Sequence, residues 1–260
     1  MKKLMGIPGE EGYSMPGEFE PHRGCIMIWP KRPGSWNYGA VKAREAFKNV
    51  AHAIAESEDV YMLAEPDVAE DARRALGVTG EAAAEMPGTG ARIHVLEMGS
   101  DDAWARDVGP TFVKNRAGDV RGIDWEFNAW GGTVDGLYAH WEKDDQVAER
   151  FCEALGYECY EAHPFVLEGG SIHSDGQGTI LVTESCLLSG GIRSLRRRRS
   201  KKGFSHIWEG KRSSGCPGGS ITTRPTSMWI ISVPSQPRAM WYWPGPMTRR
   251  IPSMSCPWPA

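Results

Sequence analysis

ARIHVLEMGSDDAWARDVGP, residues Ala91–Pro110, holds the transition that sets the fold. Its first eight residues, ARIHVLEM, read as a strand that stops at Gly99-Ser100. The next twelve, Gly99–Pro110, carry three aspartates, an arginine and a tryptophan. Loops at strand ends are where α/β folds place ligand sites. Carboxylates beside an aromatic face suit a planar cation, with bidentate hydrogen bonds to a guanidinium and stacking or cation–π contact from Trp104. The same residues also fit a capped turn, with Asp101 or Asp102 at the strand end and an Asp107–Arg106 surface pair.

On either side, helices alternate with strands. Residues 40–57 (AVKAREAFKNVAHAIAES) place Val41, Ala43, Phe47, Val50, Ala51, Ile54 and Ala55 at helical spacing. A short strand over Val60–Leu63 follows, then a helix opened by Pro66 and stopped after Leu76 by Gly77. Downstream, strands are predicted around Thr111–Val113 and over Val120–Phe127, with a turn at Asn115–Asp119. A helix is predicted over Asp144–Leu155, ending at Gly156. Strands at Phe165–Leu167 and Thr179–Thr183 flank a glycine-rich loop in which Glu168-Gly169-Gly170 precedes His173 and Asp175. A glutamate beside two glycines either approaches a ligand closely or makes a β-turn. The pattern is that of a layered α/β domain.

The 260 residues are 40% hydrophobic and 24% charged, which argues against a disordered, collagen-like or coiled-coil chain. No stretch approaches a membrane span, and the start, MKKLMGIPGEEGY, lacks the apolar core of a secretory signal. Six cysteines without a CxxC pair suggest reduced thiols in the cytoplasm rather than a disulfide framework or a zinc site. The net charge of −3 hides a break. From Gly190 onward, thirteen Lys and Arg face the single acid Glu209, giving +12. Residues 1–189 hold 32 acids and 17 bases, giving −15. The basic segment also has five tryptophans and nine prolines and no helical or strand periodicity.

Three segments together resemble the agmatine deiminase family: MPGEFEPHRGCIMIWP (Met15–Pro30), GSDDAWARDVGPTFV (Gly99–Val113) and VLEGGSIHSDGQGTILVTESCLLS (Val166–Ser189), with NAWGG (Asn128–Gly132) between. The resemblance implies a pentein-type α/β-propeller of pseudo-fivefold ββαβ units. It also implies hydrolysis of agmatine to N-carbamoylputrescine and ammonia, a step of putrescine and polyamine biosynthesis, without metal or cofactor. In that chemistry a cysteine thiolate attacks the guanidinium carbon, a histidine moves the proton needed for ammonia to leave, and water resolves the amidino-thioether. Motif matching makes Asp107 a guanidinium carboxylate, places Trp104 against the substrate and makes Glu168 the glutamate of the catalytic set. Asp102 and His173 match motif positions as a substrate-side and a catalytic candidate. The resemblance implies no membrane partner and leaves homo-oligomerisation open. An acidic first part suits a dicationic substrate.

The family's later segments, which supply its catalytic His, second Asp and Cys nucleophile, do not appear in the printed frame. They leave a trace when each codon's last base is joined to the first two of the next. Met228-Trp229 then forces Val and Trp229-Ile230 forces Asp, within a stretch from Gly215 to Ile231 that permits LPGGIYNDETNEHVDN. Met240–Pro244 forces Val-Val-Leu-Ala. The expectation is a shift of frame near Ser189–Gly190. Residues 1–189 would then be a partial propeller, incomplete at its C-terminus, and residues 190–260 a mostly irregular basic tail without chemistry. On that reading the chain descends from an agmatine deiminase and is inactive. Two other readings remain: a nucleic-acid-binding protein that uses the basic tail, arginine on phosphate and tryptophan on bases, and a hydrolase with Cys186 and His173 as its pair.

Overall fold

Three small mixed sheets organise the residues that the computed structural model describes, which are 3–79, 84–85, 92–183 and 212–216. All of them lie in one unit, Met1–Thr226. The first sheet runs β2 (Gly24–Ile28), β3 (Asp59–Ala64), β5 (Arg92–Glu97) and β4 (Ala84–Glu85), with the first three parallel and β4 antiparallel. The second runs β1 (Lys3–Leu4), β8 (Cys159–Val166), β7 (Val120–Glu126) and β6 (Val113–Lys114). There β1, β8 and β7 are parallel and β6 is antiparallel. The third pairs β9 (Ile172–Ser174) antiparallel with β10 (Thr179–Thr183), and β10 parallel with β11 (Arg212–Cys216).

The first sheet shows why these strands hold. Parallel strands need crossovers, here helices α1 (Val41–Ile54) and α2 (Pro66–Leu76). Alternate residues of β3 face opposite ways: Val60, Met62 and Ala64 pack with Ala51, Ala55, Ala69, Ala72 and Leu76 from the helical side. Leu63 and Tyr61 join the opposite cluster, with Ile28, Phe127, Val147 and Phe151. Both faces are covered, as parallel sheets require. In α1 the inward stripe is Ala51, buried, with Phe47 and Ile54 partly buried beside it, and the buried cap residue Ala55 continues it. Val41 and Val50, apolar positions in the sequence, instead stand exposed on the outer side. Helix α2 begins with Pro66 and stops at Gly77, whose φ of 75° is the left-handed C-cap that glycine accepts without strain.

Several boundaries differ from the sequence reading. Beyond the short α4 (Gly132–Asp135), the helix predicted from Asp144 begins as a 3₁₀ turn, Asp144–Gln146, and becomes α5 only at Val147–Leu155. The side chains of Asp144 and Asp145 accept backbone N–H groups of other loops, and the turn that serves them is tighter than a helix. Strand β8 begins at Cys159, upstream of the predicted Phe165–Leu167, because its pairing with β1 on one side and β7 on the other is non-local and leaves no period in YECYEAHPFV. The strand near Thr111 lies at Val113–Lys114. The glycine-rich loop contains β9, which pairs with β10 through His173 and Leu181. Of the basic tail, the structure describes Arg212–Cys216 alone, as β11. The remainder of that tail, and Cys186, lie outside the described residues.

Candidate active site

Helix α3 (Ala105–Val108) follows the strand-end loop after β5, and the turn Gly169–Ser171 follows β8. These two turns touch, and the contact brings Asp107 beside Glu168. Gly170 N–H donates to Asp107 Oδ1 at 2.9 Å. Gly169 and Gly170 are required by this approach. A Cβ on Gly169 would lie 2.2 Å from the Arg106 carbonyl oxygen, and one on Gly170 would lie 2.3 Å from Asp107 Oδ1. The close approach read from the two glycines is therefore made to the opposite loop of the same chain.

Glu168 sits out of water, and Asp107 is partly buried. Glu168 is 7% exposed, and burial, reinforced by the charge of Asp107, pushes its pKa up to about 7. Burial also raises the pKa of Asp107, against the opposing effect of the Gly170 N–H and a hydrogen bond from Trp130. The alternative of an Asp107–Arg106 surface pair does not hold, since Arg106 turns outward to Glu18. Trp104 packs edge-on against Trp130 at 5.3 Å between ring centres and lies 6.2 Å from Trp36. Its indole Nε1 is buried and has no hydrogen-bond partner in this structure.

Trp130 was not singled out in the sequence, although NAWGG contains it. Ala129 and Trp130 are consecutive non-glycine residues in the left-handed region, at φ 54° and 64°. Such a pair costs on the order of 1–3 kcal/mol per residue and persists only where its surroundings hold it. Here Gly131 N–H donates to Asn128 Oδ1 at 3.1 Å, Leu137 N–H to the Ala129 carbonyl at 2.9 Å, and Phe127 N–H to Asp145 Oδ1 at 2.6 Å. The strained turn aims Trp130 at Asp107.

Asp102 is placed differently from the expectation of a substrate ligand. Its Oδ1 accepts Trp36 Nε1–H at 2.7 Å and Ala103 N–H at 2.8 Å, and its Oδ2 accepts Ser35 Oγ–H at 2.5 Å. Both oxygens are committed within the chain, so Asp102 positions Trp36 and caps its own loop. Asp144, fully buried, braces that loop from below, accepting Asp101 N–H at 2.7 Å, Asp102 N–H at 3.2 Å and the Tyr138 hydroxyl. Tyr138→Phe strips a charge-assisted bond from a buried carboxylate, and a stability loss of about 2 kcal/mol is expected in urea unfolding. His173 is half-exposed on β9, with its Nδ1 3.8 Å from Glu18 Oε2. Among the described residues, no hydrogen bond or ion pair joins His173 to Asp107 or Glu168; Glu18, which also holds Arg106, is the link.

The three free thiols described are Cys25, Cys152 and Cys159. Cys152 and Cys159 are buried, and burial pushes the Cys25 thiol up to about 11. A nucleophilic thiol needs the opposite shift.

A family model described as Porphyromonas-type peptidyl-arginine deiminase matches residues 14–202. A Listeria monocytogenes protein named "Putative agmatine deiminase 2" is 49% identical over 191 residues, which are 74% of this chain and 48% of that protein. The chain thus spans about half the length of the curated relatives it matches. A solved structure described as agmatine deiminase of Enterococcus faecalis catalyzing its reaction superposes with a TM-score of 0.75 at 41% identity, covering 83% of this chain and 56% of that one. A C. jejuni agmatine deiminase, at 19% identity and a TM-score of 0.60 over 78% of this chain and 54% of that one, shares the fold.

Proposed function

The chain belongs to the Porphyromonas-type peptidyl-arginine deiminase family, and from that premise we propose that Asp107 and Glu168 form the guanidinium-holding half of an agmatine deiminase site. The observation that carries this reading is the meeting of the buried carboxylate of Glu168 and the partly buried one of Asp107 from separate strand-end turns, with no cation among the described residues between them and two indoles alongside. Asp107, held by Gly170 N–H and Trp130, has lone pairs left to accept the N–H groups of a planar cation, and exclusion of water strengthens that pair. Trp104 and Trp130 wall the cation, and the unpartnered Trp104 Nε1–H adds a donor toward a ligand. Glu168, titrating at about 7, is poised to hold or give up a proton at neutral pH. The three sheets read as consecutive blades of an α/β-propeller, and the thiol nucleophile of such a site comes from outside the described residues. On this reading the printed chain binds its substrate without turning it over.

Calorimetry of the 260-residue chain tests the proposal. Agmatine is expected to bind and putrescine, which lacks the guanidinium, is not. Ammonia release is expected only once the residues after Ser189 are restored to the alternative frame. Equal binding of the two amines would sink the reading. The pH dependence follows from Glu168. A cation favours the ionised carboxylate, so affinity rises with pH up to about 7, and binding below that pH releases protons to the buffer. Stability runs the other way. The folded state keeps a proton up to about 7 that the unfolded state gives up near 4.5, so this group's contribution declines as pH rises between those values and is flat above.

A further inference from the structure

Asp124 stands in the middle of β7, on the face that α5 covers, where an apolar residue would otherwise pack. It is 4% exposed, and its Oδ1 is buried without a hydrogen-bond partner. The neighbouring strand explains what lies opposite. Asp124 pairs with Glu161 and Glu126 with Val166, so residues 162–165 of β8 stand against Trp125 alone. This bulge turns His163 back over the sheet. His163 Nε2, also buried and unpartnered, lies 3.6 Å from Asp124 Oδ2 and 3.7 Å from Glu161 Oε1. Both separations are too long for hydrogen bonds. They are near the donor–donor edge of about 3.4 Å expected in a tetrahedral site with metal–ligand bonds of about 2.1 Å.

We propose that Asp124, Glu161 and His163 bind a first-row divalent transition-metal cation, apart from the guanidinium site. One imidazole and two carboxylates select zinc-like or manganese-like ions over calcium or magnesium. The neighbours of the site are mixed in charge: Lys3 takes the other oxygen of Glu161 at 3.1 Å and Glu149 at 2.9 Å, and Glu161 Oε1 also accepts His163 N–H at 3.3 Å, while Asp145 adds negative charge beside His163. A cation here would pin the bulge next to Asp145, whose Oδ1 anchors Phe127 at the entry of the turn that carries Trp130. The second possible cluster, His22, Cys25 and Glu58, is engaged within itself. Its imidazole hydrogen-bonds Glu58, Cys25 Sγ lies 3.5 Å from Glu58 Oε1, and His22 is half exposed.

The test uses the full chain, stripped with chelator and dialysed against Zn²⁺. One equivalent is expected to bind and to raise the unfolding temperature. His163→Gln and Asp124→Asn are expected to weaken binding at least about tenfold, and His22→Gln to leave it unchanged. In case a variant fails to fold, Co²⁺ added to the unaltered chain gives an independent reading: d–d absorption without the near-ultraviolet band of a cobalt–thiolate bond. Absence of saturable binding, full binding by a folded His163→Gln, or a thiolate band that assigns the ion to Cys25 would each overturn the proposal. Agmatine binding is measured separately, so loss of one result leaves the other standing.

Discussion

Asp107→Asn is expected to weaken agmatine binding at least about thirtyfold without lowering stability. Removing one charge from a buried, hydrogen-bonded ion pair costs roughly 2–5 kcal/mol of binding. The amide oxygen still accepts the Gly170 N–H, so the contact between the two turns survives the exchange. Because burial holds the Asp107 carboxyl above its ordinary range, its ionised form is a strain on the folded chain at neutral pH. A neutral side chain relieves that strain, and the urea midpoint at pH 8 should not fall. Glu168→Gln separates the two carboxylates further. Near pH 5.5 Glu168 is already protonated, so the glutamine variant should bind much as the unaltered chain does, while above pH 8 it should bind more weakly. Calorimetry at the two pH values checks both signs. A drop in midpoint as large as the drop in affinity for Asp107→Asn would assign that residue to structure instead of binding.

How far this site can be read from the sequence depends on the range of the contacts that build it. Asp107, Trp104 and Glu168 stand in strand-end loops beside residues whose types state their chemistry, and motif resemblance singles them out; that their turns adjoin is seen only in the fold. Helix α2 and the strand β10 are set by local signals, proline and glycine stops in one and a β-branched run in the other. What escapes is decided at a distance. Asp102 has the same composition-level credentials as Asp107, yet Ser35 and Trp36, more than sixty residues away, occupy its oxygens. Trp130 enters the site through a backbone conformation that no propensity scale favours, held by Asp145 and Asn128. Asp124 is one of three charged residues in the strand VRGIDWE and carries no mark of its own in the sequence, since its company depends on a bulge in the partner strand. Val41 and Val50 show the reverse error, since apolar residues at helical spacing end on the solvent side once Ala51 and Ala55 claim the sheet.

Gly169→Ala is expected to remove binding and about 1–3 kcal/mol of stability together. The added methyl would lie 2.2 Å from the carbonyl oxygen of Arg106, a backbone atom that cannot swing aside. The turn after β8 must therefore move off α3, which separates Glu168 from Asp107 and breaks the Gly170 N–H bond at the same time. Gly170→Ala makes a contact of similar closeness, 2.3 Å, but with Asp107 Oδ1, the end of a side chain that can rotate. That variant should keep most of its stability and still bind poorly, because the rotation turns the carboxylate away from the cation. Neither glycine has a left-handed φ, so backbone strain does not enter and the two effects isolate contact alone. Urea midpoints and agmatine calorimetry on both variants distinguish them. Small and equal changes would mean that the glycines merely shape a turn and that the two carboxylates are held in place by something else.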